Sequence, residues 1–137
     1  MRVEQDVKLT FEDVLIRPKR STLVSRSDVT LEREFKFRHS DTTWSGVPIV
    51  AANMDTTGLF SISKVLQQHK MITCLQKFYA TREYAAAWDD GIDPNFIAAT
   101  CGSTEESLTL LKRKMATNEN IKFICIDVAN GYREVFL

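Results

Sequence analysis

The sequence predicts an α/β fold built on a parallel sheet, and three observations predict it. Four apolar runs recur at intervals of roughly 25 residues, the length of one βα unit with short loops. They are GVPIVAANM (46–54), MITCLQK (71–77), FIAATC (96–101) and IKFICID (121–127). None alternates apolar with polar residues, which is the pattern of parallel strands covered on both faces. The stretches between them carry helical spacing, so the order is β-α-β-α-β-α-β with right-handed crossovers.

The elements follow in chain order. Residues 1–45 carry charge runs (IRPKRSTLVSRSD, LEREFKFRH) around Val14, Leu15 and Ile16. They are too short and polar to bury a core, so they form an N-terminal extension that covers one end of the sheet, and 46–137 hold the four strands. Within the extension, VTLEREFKF sets Leu31, Phe35 and Phe37 among charges and predicts a short surface hairpin or strand. After the first run, GLFSISKVLQQH places Leu59, Ile62, Val65 and Leu66 on one helical stripe, and Asp55 stands before it. Asp55 serves as a cap for this helix or as a site residue; the residues alone leave both open. TREYAAAWDDG closes on Gly91, a C′ signal. GSTEESLTLLKRKM offers Ser103 as N-cap with Glu106 three residues on, and Leu108, Leu111 and Met115 as its stripe. GYREVFL reads as the opening of a fourth helix.

Composition narrows the function classes. Lys plus Arg and Asp plus Glu both number 18, so no net charge draws the chain to nucleic acid or an anionic membrane. No apolar run reaches the ~18 residues of a membrane helix, and no signal-peptide pattern opens the chain. Cys74, Cys101 and Cys125 sit inside apolar runs without metal-ligand spacing, so they are expected to be reduced, buried thiols in a cytoplasmic protein, and no metal site is expected from this chain. His39 and His69 lie away from the strands' C-terminal ends and are read as incidental.

Two folds use such repeats. A doubly wound dinucleotide-binding sheet carries Gly-x-Gly-x-x-Gly after its first strand; here DTTGLF follows Met54, and FYATRE follows Lys77. A (β/α)8 TIM barrel needs no such fingerprint and gathers its site at the C-terminal ends of the strands. Those ends bring Asn53, Met54 and Asp55, then Lys77, then Cys101 and Gly102, then Asp127, Ala129 and Asn130. The expectation is the N-terminal half of such a barrel with an N-terminal extension. Four unclosed parallel strands leave an unpaired edge, so the half-barrel calls for complementary chain.

Three stretches point further. LTFEDVLIRPKRSTLVSRSDVTLER (9–33), SGVPIVAANMDT (45–56) and KFICIDVANGY (122–132) are similar to the N-terminal part of the GMP reductase family, relatives of IMP dehydrogenase. The resemblance implies a (β/α)8 barrel and NADPH-dependent reductive deamination of GMP to IMP with release of ammonia. In that family a cysteine attacks the purine C2 to form a covalent thioimidate, ammonia leaves, and NADPH delivers hydride. That cysteine lies in a Gly-Ser-x-Cys-Thr-Thr loop, which none of Cys74, Cys101 and Cys125 matches. The monovalent-cation (K+) site and the glycine loops for the GMP phosphate likewise match nothing in these 137 residues. The resemblance also implies a homotetramer acting on a small-molecule substrate.

Carried over by motif, Ser25 and Arg26 in VSRSD match residues that contact NADPH, Lys77 in LQKFY matches a nicotinamide-proximal lysine, and Asp127, Val128 and Ala129 in IDVANGY match the strand-four cofactor segment. The chemistry suits each. A guanidinium neutralises a phosphate, a carboxylate accepts from a ribose hydroxyl or a carboxamide, and a lysine donates to the amide or polarises developing charge. Lys77 and Asp127 are thus the catalytic-side candidates. The bland alternatives are a solvated loop lysine and an N-cap aspartate. Gln76 and Phe78 stand where the family usually has histidines, and Arg133 where a serine commonly follows Gly-Tyr. The short stretch between Lys77 and Phe96 leaves no room for the domain pair that IMP dehydrogenases generally insert, and DVANG replaces their usual Asp-Ser-Ser-Gln-Gly. Both features favour the reductase over an IMP dehydrogenase-like enzyme. The competing expectations are a non-catalytic half-barrel that binds or assembles through its open edge, and a truncated piece of a longer enzyme, inactive alone.

Overall fold

The computed structural model describes residues 3–136. The chain divides into two compact units, the first ending at Thr30 and the second starting at Leu31. The first unit contains two single-turn 3-10 helices, Phe11–Asp13 and Arg26–Asp28. Both close on a side-chain cap. Asp13 accepts hydrogen bonds from the Thr10 N–H (2.8 Å) and hydroxyl (2.9 Å), and these hold its carboxyl below the usual carboxylate range. Asp28 accepts from the Ser25 N–H at 2.9 Å.

The second unit opens with a hairpin, β1 (Arg33–Lys36) antiparallel to β2 (Thr43–Gly46). A parallel sheet follows, made of β3 (Val50–Ala51), β4 (Ile72–Cys74), β5 (Ile97–Cys101) and β6 (Ile124–Ile126) in sequential order. Helices α1 (Phe60–Leu66), α2 (Thr81–Asp89) and α3 (Glu105–Thr117) join successive strands. The predicted α/β order with a parallel sheet is therefore present. Sequential order with crossovers of one hand puts all three helices on the same face. The core shows it: Leu75, Ile97, Ala99 and Cys101 pack with Tyr84 and Ala87 of α2 and Leu111 of α3, and Phe60 of α1 lies against them. By strand alternation and register, Val50, Ile72, Cys74, Ala98, Thr100 and Cys125 share the opposite face.

The hairpin is fastened to residues that precede the strands. The Trp44 indole N–H donates to the Asn95 carbonyl at 2.9 Å, and its ring meets Phe96 edge-on at 6.2 Å. Phe37 packs on Phe123 at 5.8 Å. Lys70 accepts from the Val47 N–H at 2.9 Å through its carbonyl and pairs with Glu32 through its ammonium at 2.6 Å. Asn95, Phe96, Phe123 and Lys70 all stand at the N-terminal ends of β4–β6, so the hairpin closes that end and leaves the C-terminal end for a site.

Local details confirm some expectations and correct others. Gly91 adopts φ 82°, with its N–H on Trp88 O (3.1 Å) and that of Ile92 on Ala87 O (3.0 Å), a Schellman end to α2. The N-cap of α3 is Thr104, not Ser103: its hydroxyl accepts from the Ser107 N–H at 3.2 Å. The correction for α1 concerns its inward stripe. Val65 is 54% exposed and Ser63 is fully buried, so the stripe is Leu59, Ile62, Ser63 and Leu66. A small residue suits that position, where α1 packs against β4. Asp55 does not cap α1, which begins at Phe60 after Leu59 in the N-cap position. The tail forms a single 3-10 turn, Glu134–Phe136, in place of an α-helical start.

The loop after β3 folds back tightly. The Thr57 and Gly58 N–H groups both donate to Met54 O (3.0 and 2.7 Å), and Gly58 O accepts from the Gln76 N–H (2.8 Å). A Cβ at Gly58 would stand 2.6 Å from Cys74 O and 2.7 Å from Gln76 N, both backbone atoms. Gly58→Ala is therefore expected to cost about 1–3 kcal/mol by overpacking. Gly102→Ala, whose Cβ meets nothing nearer than Ser107 Oγ at 3.5 Å, is expected to stay within about 0.5 kcal/mol of the parent. Urea denaturation of the two variants checks the contrast, and equal midpoints would refute it.

Candidate functional site

Each strand hands its C-terminal end to one short loop: 52–59 after β3, 75–80 after β4, 102–104 after β5, and 127 onward after β6. These four loops share one edge of the sheet because the strands are parallel. Lys77 and Asp127 follow β4 and β6, the two neighbours of β5, so the structure brings them to the same rim about 10 Å apart by strand spacing. Both are exposed, and among the described residues neither has an ion-pair partner. The Lys77 ammonium lies 5.3 Å from the Phe78 ring centroid. The Asp127 N–H donates to Cys101 O at 2.8 Å, which fixes where its carboxylate starts. Val128 is half-buried beside it and Ala129 exposed.

Between these two, Gly102 donates its N–H to the Ser107 hydroxyl at 2.7 Å, which keeps the β5 loop low. On the helix-free face beneath, Thr100 is 3% exposed and its hydroxyl has no partner among the described residues. The site therefore offers a cation, an anion and an orphaned hydroxyl at one end of the sheet. Ser25 and Arg26 lie in the first unit. Ser25 is the N-cap of its 3-10 turn, and its Oγ accepts from the Ser27 N–H (3.2 Å) and hydroxyl (2.8 Å). Arg26 is exposed in that turn.

Residue-type reasoning passed over the residues that hold the Lys77 loop. Gln76 Oε1 accepts from the Phe78 N–H at 2.7 Å, Tyr79 OH accepts from the Phe60 N–H at 3.3 Å, and Lys114 Nζ donates to Lys77 O at 3.3 Å. Lys114 sits in the charge run KRKM, which reads as solvated. Its spacing three residues from Leu111 and four from Asn118, both buried, is the signal that marks it as inward.

Two of the three thiols, Cys74 and Cys101, are set against nucleophilic chemistry. Burial, and then the neighbouring Cys125 thiol, push Cys74 up to about 12. Burial also raises Cys101, with Cys125 adding and Lys114 opposing. A thiol that keeps its proton near neutrality is a poor nucleophile. The sign of the linkage is definite. Cys74 holds its proton more tightly folded than unfolded, so its contribution to stability is complete below the ordinary value of 9.0 and is lost as pH rises toward about 12. The denaturation midpoint is expected to fall above about pH 9. Cys74→Ala, compared with its own midpoint at neutral pH, is expected to lose less over the same range; an equal loss would refute the assignment.

No family model matches the chain. Curated relatives do. GMP reductase of Tolumonas auensis is 47% identical over 138 residues, 99% of this chain and 40% of the relative. GMP reductase of Klebsiella pneumoniae is 49% identical over 140 residues, with 100% of this chain and 40% of the relative covered. The chain thus spans about two-fifths of the length of the curated relatives it matches. Among solved structures, inosine 5′ monophosphate dehydrogenase from Legionella pneumophila aligns with a TM-score of 0.70 over 93% of this chain and 37% of that one. At 24% identity that likeness speaks for the fold alone. From end to end, the chain matches the N-terminal portion of GMP reductase.

Proposed function

We propose that this chain forms the nicotinamide side of a GMP reductase barrel, the enzyme class that converts GMP to IMP and ammonia at the expense of NADPH. The observation that carries the reading is the presence of Lys77 and Asp127, neither with an ion-pair partner among the described residues, at the C-terminal rim after alternate strands of one parallel sheet. The residues fit the cofactor: an unpartnered ammonium and carboxylate on one rim suit the carboxamide and ribose of a nicotinamide nucleotide. Bound there, NADPH supplies hydride. Lys77 would donate a hydrogen bond to the carboxamide oxygen and so orient the nicotinamide ring. Asp127 accepts from a ribose hydroxyl or the amide, with Val128 and Ala129 lining the same turn. Arg26 of the first unit, beside Ser25, carries the charge that suits a cofactor phosphate. No step is assigned to a monovalent cation.

The half-barrel reading draws on three features. Sequential parallel order leaves the helices on one face. The likeness to a solved dehydrogenase covers nearly the whole chain. The Cys74 and Cys125 thiols, from β4 and β6, also reach one another over β5, as inward side chains of alternate strands do in a barrel layer.

Titration of the 137-residue chain with NADPH, followed by cofactor fluorescence, tests the site. Lys77→Met and Asp127→Asn are each expected to weaken binding by about tenfold, the loss of one charge-assisted hydrogen bond. Unchanged affinity in both would sink the assignment. The same chain given GMP and NADPH is expected to show no steady turnover, because none of its cysteines stands in the family's Gly-Ser-x-Cys-Thr-Thr loop.

A second reading has its own observation. Ile124 and Ile126 of the edge strand β6 are 43% and 47% exposed, which suits a half-barrel that assembles through its open side. Light scattering decides: a self-association that Ile126→Lys abolishes supports it, and a strict monomer at high concentration counts against it.

A further inference from the structure

The loop that presents Lys77 is held mostly by side chains. Gln76 Oε1 takes the Phe78 N–H at 2.7 Å, and Glu83 Oε2 takes the Ala80 N–H at 2.6 Å. Lys114 takes the other half of the Lys77–Phe78 peptide, donating to the Lys77 carbonyl at 3.3 Å. Lys114 belongs to α3, in the next βα unit along the chain. Its ammonium lies 5.7 Å from the centroid of the Tyr84 ring. That ring is fully buried and set by Phe60 edge-on at 5.3 Å and by Trp88 at 6.1 Å. Lys114 is half-buried as a result, and burial lowers its pKa, while Glu83 and Cys101 oppose the shift.

We propose that Lys114 is a positioning residue for Lys77. An immobile aromatic face guides its ammonium, and the ammonium fixes the peptide from which the Lys77 side chain departs. The side chain then leaves toward the rim, over Phe78, and not along the helix surface. α3 thereby sets the direction of a group supplied by the preceding unit. This inference rests on reading Lys77 as the nicotinamide-side lysine.

The test uses the 137-residue chain with Lys114→Met, which keeps the aliphatic stem and removes the donor, and Lys114→Arg, which keeps a cationic donor. Amide hydrogen exchange is measured across 76–80 and across β5, and NADPH affinity by titration. Lys114→Met is expected to speed exchange in 76–80 about tenfold, leave β5 unchanged, and weaken NADPH about tenfold. Lys114→Arg is expected to restore both to within about threefold of the parent. Unaltered exchange in 76–80, an equal rise in β5, or an Arg variant no better than Met would each overturn the proposal. Failure of the unaltered chain to bind NADPH would strike the functional reading alone, because exchange decides the anchor.

Discussion

The five residues of β5 are buried on both faces, and the second unit is arranged around that fact. Ile97, Ala99 and Cys101 take the helices on one side, while Ala98 and Thr100 stay low on the other. A central strand with small residues on its helix-free face lets the side chains of its two neighbours lean together, which is how Cys74 and Cys125 meet. The same strand sets the register of both. Thr73 and Cys74 pair with Ile97 and Ala98, and Ala99 to Cys101 pair with Ile124 to Ile126. The places where Lys77 and Asp127 leave the sheet follow from those pairings.

Stability and function divide the sheet between its two ends. At the N-terminal end the hairpin brings Trp44, Phe37 and the Glu32–Lys70 pair against the strand starts. Most of that contact is aromatic area and a satisfied indole N–H, which buried Trp requires. At the C-terminal end the contacts are single hydrogen bonds, some within the loop backbone and others between side chains and that backbone. Such contacts orient groups without covering them, which is what a binding rim needs.

Much of this was legible in the sequence because parallel strands leave a plain mark. The four apolar runs contain β3 to β6, and Gly91 announced the end of α2 through a backbone geometry that favours glycine. The rim residues were legible because they sit next to those runs. The misplacements were of another kind. Val65 and Ser63 differ in which faces the sheet, and periodicity weighted toward apolar residues chose the larger one. Thr104 and Ser103 are both good caps, and only the chain's path out of Gly102 selects between them. The spacing of Lys114 marks it as inward, but its partner is a carbonyl 37 residues away, and no local pattern encodes that.

The Phe78 ring beside the Lys77 ammonium has a chemical consequence. In the Gln76–Lys77–Phe78–Tyr79 stretch the side chains that flank the lysine are an amide and a phenyl, neither of which ionises. An aromatic face also holds a cation loosely compared with a carboxylate. The cation at this rim is thus free to turn toward an arriving dipole without first breaking an ionic bond.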